Sequence, residues 1–285
     1  MKKFFEKCYK ITKVYGLTVA GAVAVVGIII YDRARQQPVY SSWTTNYDPS
    51  VKWDYNWDRR QPDNLVKPLK ESATDEEKLK HLEKEEQNVS KATRHIIMIR
   101  HGQYFDTEKL DKDRKLTELG REQANMVGKR LAELNYPYTQ LICSTMTRAR
   151  ETADIIHKHL PDLERKETDL LREGAPIPPE PPSGNWKPEA EQFYSDGARI
   201  EAAFRKFFYR AGADQVNDSY EIMVCHANVI RYFVCRALQF PPEAWLRISL
   251  NHASITWVYI RPNGRVGIRT LGEAGFMPAK KVSVL

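Results

Sequence analysis

Cysteine is scarce in this sequence. The four present, Cys8, Cys143, Cys225 and Cys235, form no C-x-x-C pair and no spacing of the kind that metal sites use. A disulfide-stapled scaffold or a structural zinc module is therefore not expected. Three of the four fall in apolar stretches and read as buried free thiols. Internal repeats are absent, which removes solenoid and propeller architectures. Basic helices with base-reading residues are absent as well. The net charge is +7, but Lys2, Lys3, Lys7, Lys10 and Lys13 supply five of the positive charges at one end. No nucleic-acid partner is read from the charge.

Long apolar runs are also lacking, with one exception. Val14 to Tyr31 carries no charge and only Thr18 as a polar residue. At about 18 residues it reaches the lower limit for a bilayer span. A cleaved secretory signal is the rival reading, but no clear cleavage site follows before Tyr31-Asp32-Arg33. A retained membrane anchor over residues 1–35 is the expectation. The lysine-rich, nearly acid-free beginning suggests a mitochondrial address. Gly16, Ala20 and Ala24 make a small-residue row on which a second helix could pack.

Residues 36–91 read as a linker. Pro38, Pro49, Pro62 and Pro68 interrupt it, and Lys67 to Lys91 is a densely charged run that reads as a solvated helix or coil. One stretch does not fit a passive tether: Trp53-Asp54-Tyr55-Asn56-Trp57-Asp58. Trp43, Trp53 and Trp57 are three of the six tryptophans, and such rings anchor cores or interfaces. Docking onto the chain's own domain and self-association both explain them.

From residue 92 to 285 the pattern is α/β. Ile96 to Ile99 is brief, β-branched and flanked by polar residues, as a buried strand is. Thr117 can cap a helix carrying Ala124, Val127, Leu131 and Leu134. Gln140 to Cys143 reads as a second strand, followed by a helix over Arg148–Leu160. Ala175 to Pro188 is proline-rich and reads as a loop. A helix over Glu189–Arg210, a strand over Tyr220–Cys225, a further helix to Leu238 and a hairpin over Ile255–Leu271 complete the order. A mainly parallel sheet flanked by helices is expected.

Polar residues follow each of the three strands that precede a helix. They are Arg100-His101-Gly102, Ser144 with Arg148 nearby, and His226 with Asn228. In a parallel sheet these ends share one edge, where ligands bind. Two arginines, two histidines and a helix N-terminus at one edge suit a phosphate dianion.

Arg100-His101-Gly102, Ser144 to Ala149, Leu171-Arg172-Glu173-Gly174 and Cys225-His226-Ala227-Asn228 together resemble the signature set of the histidine phosphatase, or phosphoglycerate-mutase-like, superfamily. The segments Leu171–Ile177, Trp186–Ala190 and Cys225–Arg231, with the anchor and Trp53–Asp58, are most similar to its membrane-anchored mitochondrial serine/threonine phosphatases. The resemblance implies that His101 is the nucleophile, taking the phosphoryl group as phosphohistidine. Arg100, Arg148 and His226 would hold the phosphoryl oxygens, and Glu173 would be the acid and base. It implies phosphoprotein substrates and no metal or cofactor. For Trp53, Asp54, Asn56, Trp57 and Asp58 it implies assembly into a homo-oligomer.

Departures from the family pattern are Gln103-Tyr104 after Arg-His-Gly and Thr145-Met146 in the second motif. Both argue against mutase activity on small metabolites. The alternative of another class is a catalytically weak phosphate-binding scaffold that assembles through residues 53–58. A cysteine hydrolase built on Cys225 and His226 is disfavoured, because neighbours on a strand point to opposite faces.

Overall fold

The central strands are apolar on both sides, so both faces of their sheet must be covered. In the computed structural model, which describes residues 49–184 and 187–284, they are. Strand β1 (Arg94–Arg100) alternates its side chains between two cores. Ile96 and Met98 enter one with Phe204, Phe208, Phe233 and Trp245. Ile97 and Ile99 enter the other with Val127, Leu131, Ala153 and Ile156. All four strand residues are fully buried, each contributing about 1.5–3 kcal/mol relative to exposure.

The elements that follow are α1 (Asp75–Gln87, before β1), α2 (Glu118–Leu134), β2 (Tyr138–Ser144), α3 (Thr147–His157), β3 (Arg165–Thr168), α4 (Ala190–Phe207), β4 (Ser219–Cys225), α5 (Ala227–Ala237), β5 (Ile255–Ile260) and β6 (Val266–Glu273). The sheet order is β3-β2-β4-β1-β5-β6. The first three pairings are parallel, and the two made by β5 are antiparallel. The sheet is therefore mixed, not simply parallel, because the C-terminal hairpin continues it beyond β1. Helices α2 and α3 supply one covering layer, α4 and α5 the other.

Local chemistry sets the helix starts. Thr117 Oγ1 accepts the Gly120 N–H at 3.0 Å and caps α2. Thr74 and Glu77 form a reciprocal capping box at the start of α1. The strand β3 was not expected. Its Arg-Lys-Glu-Thr sequence has no apolar period, as suits a short edge strand protected by charge. Cys143, Cys225 and Cys235 are buried free thiols.

The chain divides into Met1–Lys52 and Trp53–Leu285. Val14–Tyr31, the stretch expected to be an anchor, lies with Trp43 and Trp186 outside the described residues, among which no helix is long and apolar enough to cross a membrane. Trp53 and Trp57 pack against the α4–α5 core. Trp57 donates its Nε1–H to the Gly264 carbonyl at 2.8 Å. Asp54 exchanges two backbone bonds with the Gln239 amide. Asp58 pairs with Arg210 at 2.8 Å, both side chains almost fully buried. Asn56 Oδ1 accepts the Gln61 N–H at 3.2 Å and closes the turn.

Candidate active site

The register of β1 against β4 places Arg100 beside Cys225. The next residue on each strand is a histidine, and His101 N–H donates to the Cys225 carbonyl at 3.0 Å. The rings of His101 and His226 lie 5.1 Å apart. Immediately after His101 the chain must pass the first turn of α2. A Cβ on Gly102 would collide with the Gly120 carbonyl oxygen, so only glycine fits there.

His101 Nδ1 sits 2.8 Å from the Gly102 carbonyl oxygen. A carbonyl only accepts, so Nδ1 carries the proton and Nε2 carries the lone pair. Arg148, at the start of α3, donates its Nε–H to that Nε2 across 3.2 Å. Burial, then Arg148, His226 and Arg100, hold the His101 pKa well below the usual imidazole range. The ring is neutral and its lone pair points toward a cation.

Among the buried nitrogens with no hydrogen-bond partner in the described residues are Arg100 Nε, Arg148 Nη1 and His226 Nδ1. Buried donors are normally satisfied, and each one left over calls for an explanation. Ser144 Oγ accepts the Met146 N–H at 3.3 Å and lies 2.8 Å from His226 Nε2. When Ser144 gives its own proton to that Nε2, Nδ1 is left as the N–H. Burial and then Arg148 keep His226 neutral as well. Two guanidinium groups and an imidazole nitrogen free to carry a proton, beside a neutral nucleophile, make a receptor for a tetrahedral dianion.

Glu173 lies on the loop before α4, gripped from two helices. Arg199 donates to the Glu173 carbonyl at 3.0 Å and the Leu170 carbonyl at 3.2 Å, and pairs with Asp196 at 2.7 Å. Asn228 Nδ2 donates to the Gly174 carbonyl at 3.1 Å. Burial raises the Glu173 pKa, opposed by Arg148, by hydrogen bonds from the Gly174 and Asn228 backbone and by Arg100. A carboxyl so placed holds its proton at higher pH than an exposed one, as a general acid requires.

All five residues proposed from the motifs thus gather at the carboxyl edge of the sheet. Trp53 to Asp58 are not among them. Several residues at this edge stand outside the proposed set of five. Asp111 accepts from the Thr147 N–H at 3.1 Å and stands 3.5 Å from Arg148 Nη1. Tyr104 lies under the Arg148 guanidinium at 4.7 Å and edge-on to His101 at 5.0 Å. His252 contacts Arg100 at 3.0 Å. Of these only Tyr104 is noted in the sequence, as part of the departure that follows Arg100-His101-Gly102.

The family profile described as histidine phosphatase superfamily (branch 1) matches residues 96–175 and 179–271. Among curated proteins, the mitochondrial serine/threonine-protein phosphatase PGAM5 of Homo sapiens is 59% identical over 236 residues, spanning 81% of this chain and 80% of its own. Its namesake from Drosophila persimilis is 57% identical over 251 residues, 86% of each chain. Among solved structures, a phosphoglycerate mutase from Plasmodium falciparum aligns with 34% identity and a TM-score of 0.46, over 64% of this chain and 91% of its own.

Proposed function

The chain belongs to the histidine phosphatase superfamily (branch 1), and from that premise we propose that it is a mitochondrial serine/threonine protein phosphatase acting through a phosphohistidine on His101. The observation that carries the chemistry is the set of buried nitrogens without hydrogen-bond partners on Arg100, Arg148 and His226 at the edge that holds His101, whose Nε2 lone pair faces Arg148. Relatives at 57–59% identity are named as such phosphatases.

In the first step the Nε2 lone pair forms an N–P bond while the P–O ester bond breaks. Glu173 gives its proton to the departing seryl or threonyl oxygen. The Nδ1–H stays on the Gly102 carbonyl, which faces the positive charge that develops on the ring. Arg100, Arg148 and His226 meet the negative charge on the phosphoryl oxygens, and such positioning and electrostatics dominate phosphoryl transfer. In the second step a water oxygen bonds to phosphorus, the N–P pair returns to Nε2, and the Glu173 carboxylate takes the water proton. Inorganic phosphate leaves and every group regains its starting protonation.

Residues 14–31 serve, in this reading, as a single membrane anchor, residues 36–91 as the linker that bears the tryptophan motif, and residues 92–285 as the catalytic segment. The uncharged run supports the anchor, and the relatives' mitochondrial naming supports the address. Trp53, Asp54, Asn56, Trp57 and Asp58 serve self-association. Trp53 and Trp57 are only partly buried against their own core, and large rings of this kind are enriched among the anchors of interfaces.

The full chain should release inorganic phosphate from a phosphoserine peptide, and a His101→Ala variant with unchanged circular dichroism should release none. No release by the unaltered chain would overturn the proposal.

A further inference from the structure

Among the fully buried polar side chains that the mechanism above leaves unused are His252 (1% exposed) and Gln123 (0% exposed). Their hydrogen bonds join into one path. Gln103 N–H donates to Gln123 Oε1 at 2.9 Å. Gln123 Nε2 donates to Ser283 Oγ at 2.9 Å and to the Lys281 carbonyl at 2.8 Å. Ser283 Oγ lies 3.0 Å from His252 Nδ1, and His252 Nε2 lies 3.0 Å from Arg100 Nη2. The path leaves the chain two residues after His101 and returns to the residue just before it.

The chemistry fixes each direction. A guanidinium only donates, so His252 Nε2 must accept and Nδ1 must carry the proton given to Ser283. The His252 backbone N–H also donates to the Ser283 carbonyl, at 2.8 Å. Arg100 Nη1 spends both its protons on the carbonyls of Leu250 at 2.6 Å and Val284 at 2.8 Å. Three of the five guanidinium N–H groups are thereby tied to the loop before β5 and to the segment Lys281–Val284. The Nε–H has no partner. Nε and Nη2 lie along one edge of the guanidinium plane, the edge that makes parallel bonds to a phosphate.

We propose that His252 is a positioning residue that, with Ser283 and the Lys281–Val284 segment, fixes the rotation of Arg100 so that its Nε–Nη2 edge meets the phosphoryl oxygens. This rests on the phosphatase reading. A protonated ring could not accept from Arg100. The groups facing it favour the uncharged form: burial and the Arg100 charge push the His252 pKa down to about 3, and the hydrogen-bonded Ser283 opposes them. Its ring neighbours are His101 at 5.8 Å and Tyr104 at 6.4 Å.

The test uses the full chain, p-nitrophenyl phosphate as substrate and inorganic phosphate as competitive inhibitor. His252→Ala should raise KM and the phosphate inhibition constant together, by about tenfold, as losing an outer partner of a binding group does. The kcat should fall less, since Arg100 holds phosphoryl oxygens in ground and transition states alike. His252→Gln places an acceptor near the Nε2 position and should recover most of the loss. Ser283→Ala should weaken phosphate inhibition in the same sense, and it carries the test if His252→Ala does not fold. Unchanged KM and phosphate inhibition in the folded variants would overturn the proposal, and so would equal losses in His252→Ala and His252→Gln. An unaltered chain that neither hydrolyses the ester nor binds phosphate would instead remove the phosphatase reading itself.

Discussion

Arg148 aims its Nε–H at the Nε2 lone pair of His101 across 3.2 Å. The same guanidinium rests on the Tyr104 ring and faces Asp111, so its plane is held on three sides. One arginine thereby keeps the nucleophile unprotonated and stands ready for the oxygens of the incoming phosphoryl group.

Arg148→Ala should therefore lower kcat by about 10²–10³, the usual loss for one preorganised donor to developing charge. Arg148→Lys should recover little, because an ammonium cannot reproduce the planar fork. Steady-state kinetics on a phosphoserine peptide would check this; unaltered kcat in either variant would take Arg148 out of the phosphoryl site.

Glu173→Gln should separate substrates by leaving group. A seryl alkoxide needs a proton and a nitrophenolate scarcely does, so the phosphoserine peptide should lose about 10²–10⁴ in rate and the aryl ester far less. Equal losses on both esters would end the acid assignment for Glu173.

Acid should destabilise the fold through three histidines. His101 and His226 are held well below the usual imidazole range and His252 down to about 3. The unfolded chain takes up their protons near pH 6.5 while the folded chain does not. The stability they confer is thus complete above about pH 6.5 and is lost as pH falls. Each contributes up to about 1.4 kcal/mol per pH unit in that window. Glu173, raised by burial, acts in the opposite sense, its share being present at low pH and lost as pH rises through its folded pKa. Urea midpoints between pH 7.5 and 5 should decline, and His226→Asn should flatten the slope. A flat profile for the unaltered protein would contradict neutral burial of these rings.

Much of this site was legible in the sequence, for one physical reason. Ile96 to Ile99 is short and wholly apolar, so it fixes where a buried strand ends, and Arg100-His101-Gly102 follows directly. The same holds for His226 after β4. What could not be read lies in polar loops. Asp111 and His252 look like solvated surface in one dimension, and His252 meets Arg100 only because β5 folds back antiparallel to β1. The charged β3 has no strand period at all. The grip of Arg199 on the Glu173 loop is likewise a product of tertiary packing.

Trp53→Ala with Trp57→Ala should separate assembly from docking. Within one chain Trp57 already meets Phe204 at 6.0 Å and the Gly264 carbonyl, so removing both rings lowers thermal stability in either case. If the segment also joins chains, two hot-spot anchors are lost at about 2 kcal/mol or more each. The mass by sedimentation of a chain lacking residues 1–35 should then fall, and phosphatase rate with it, across a concentration series. A double variant of parental mass at every concentration would leave the motif a purely intramolecular clasp.

The most direct measurement is chemical trapping of the enzyme during turnover. The full chain, mixed with a ³²P-labelled phosphoserine peptide and quenched in alkali, should retain label in an acid-labile, alkali-stable form, with mass spectrometry placing the phosphoryl group on His101. Glu173→Gln should still trap label from an aryl phosphate, and His101→Ala should trap none. Rapid phosphate release with no labelled protein at any quench time, or label on another residue, would contradict His101 as the nucleophile.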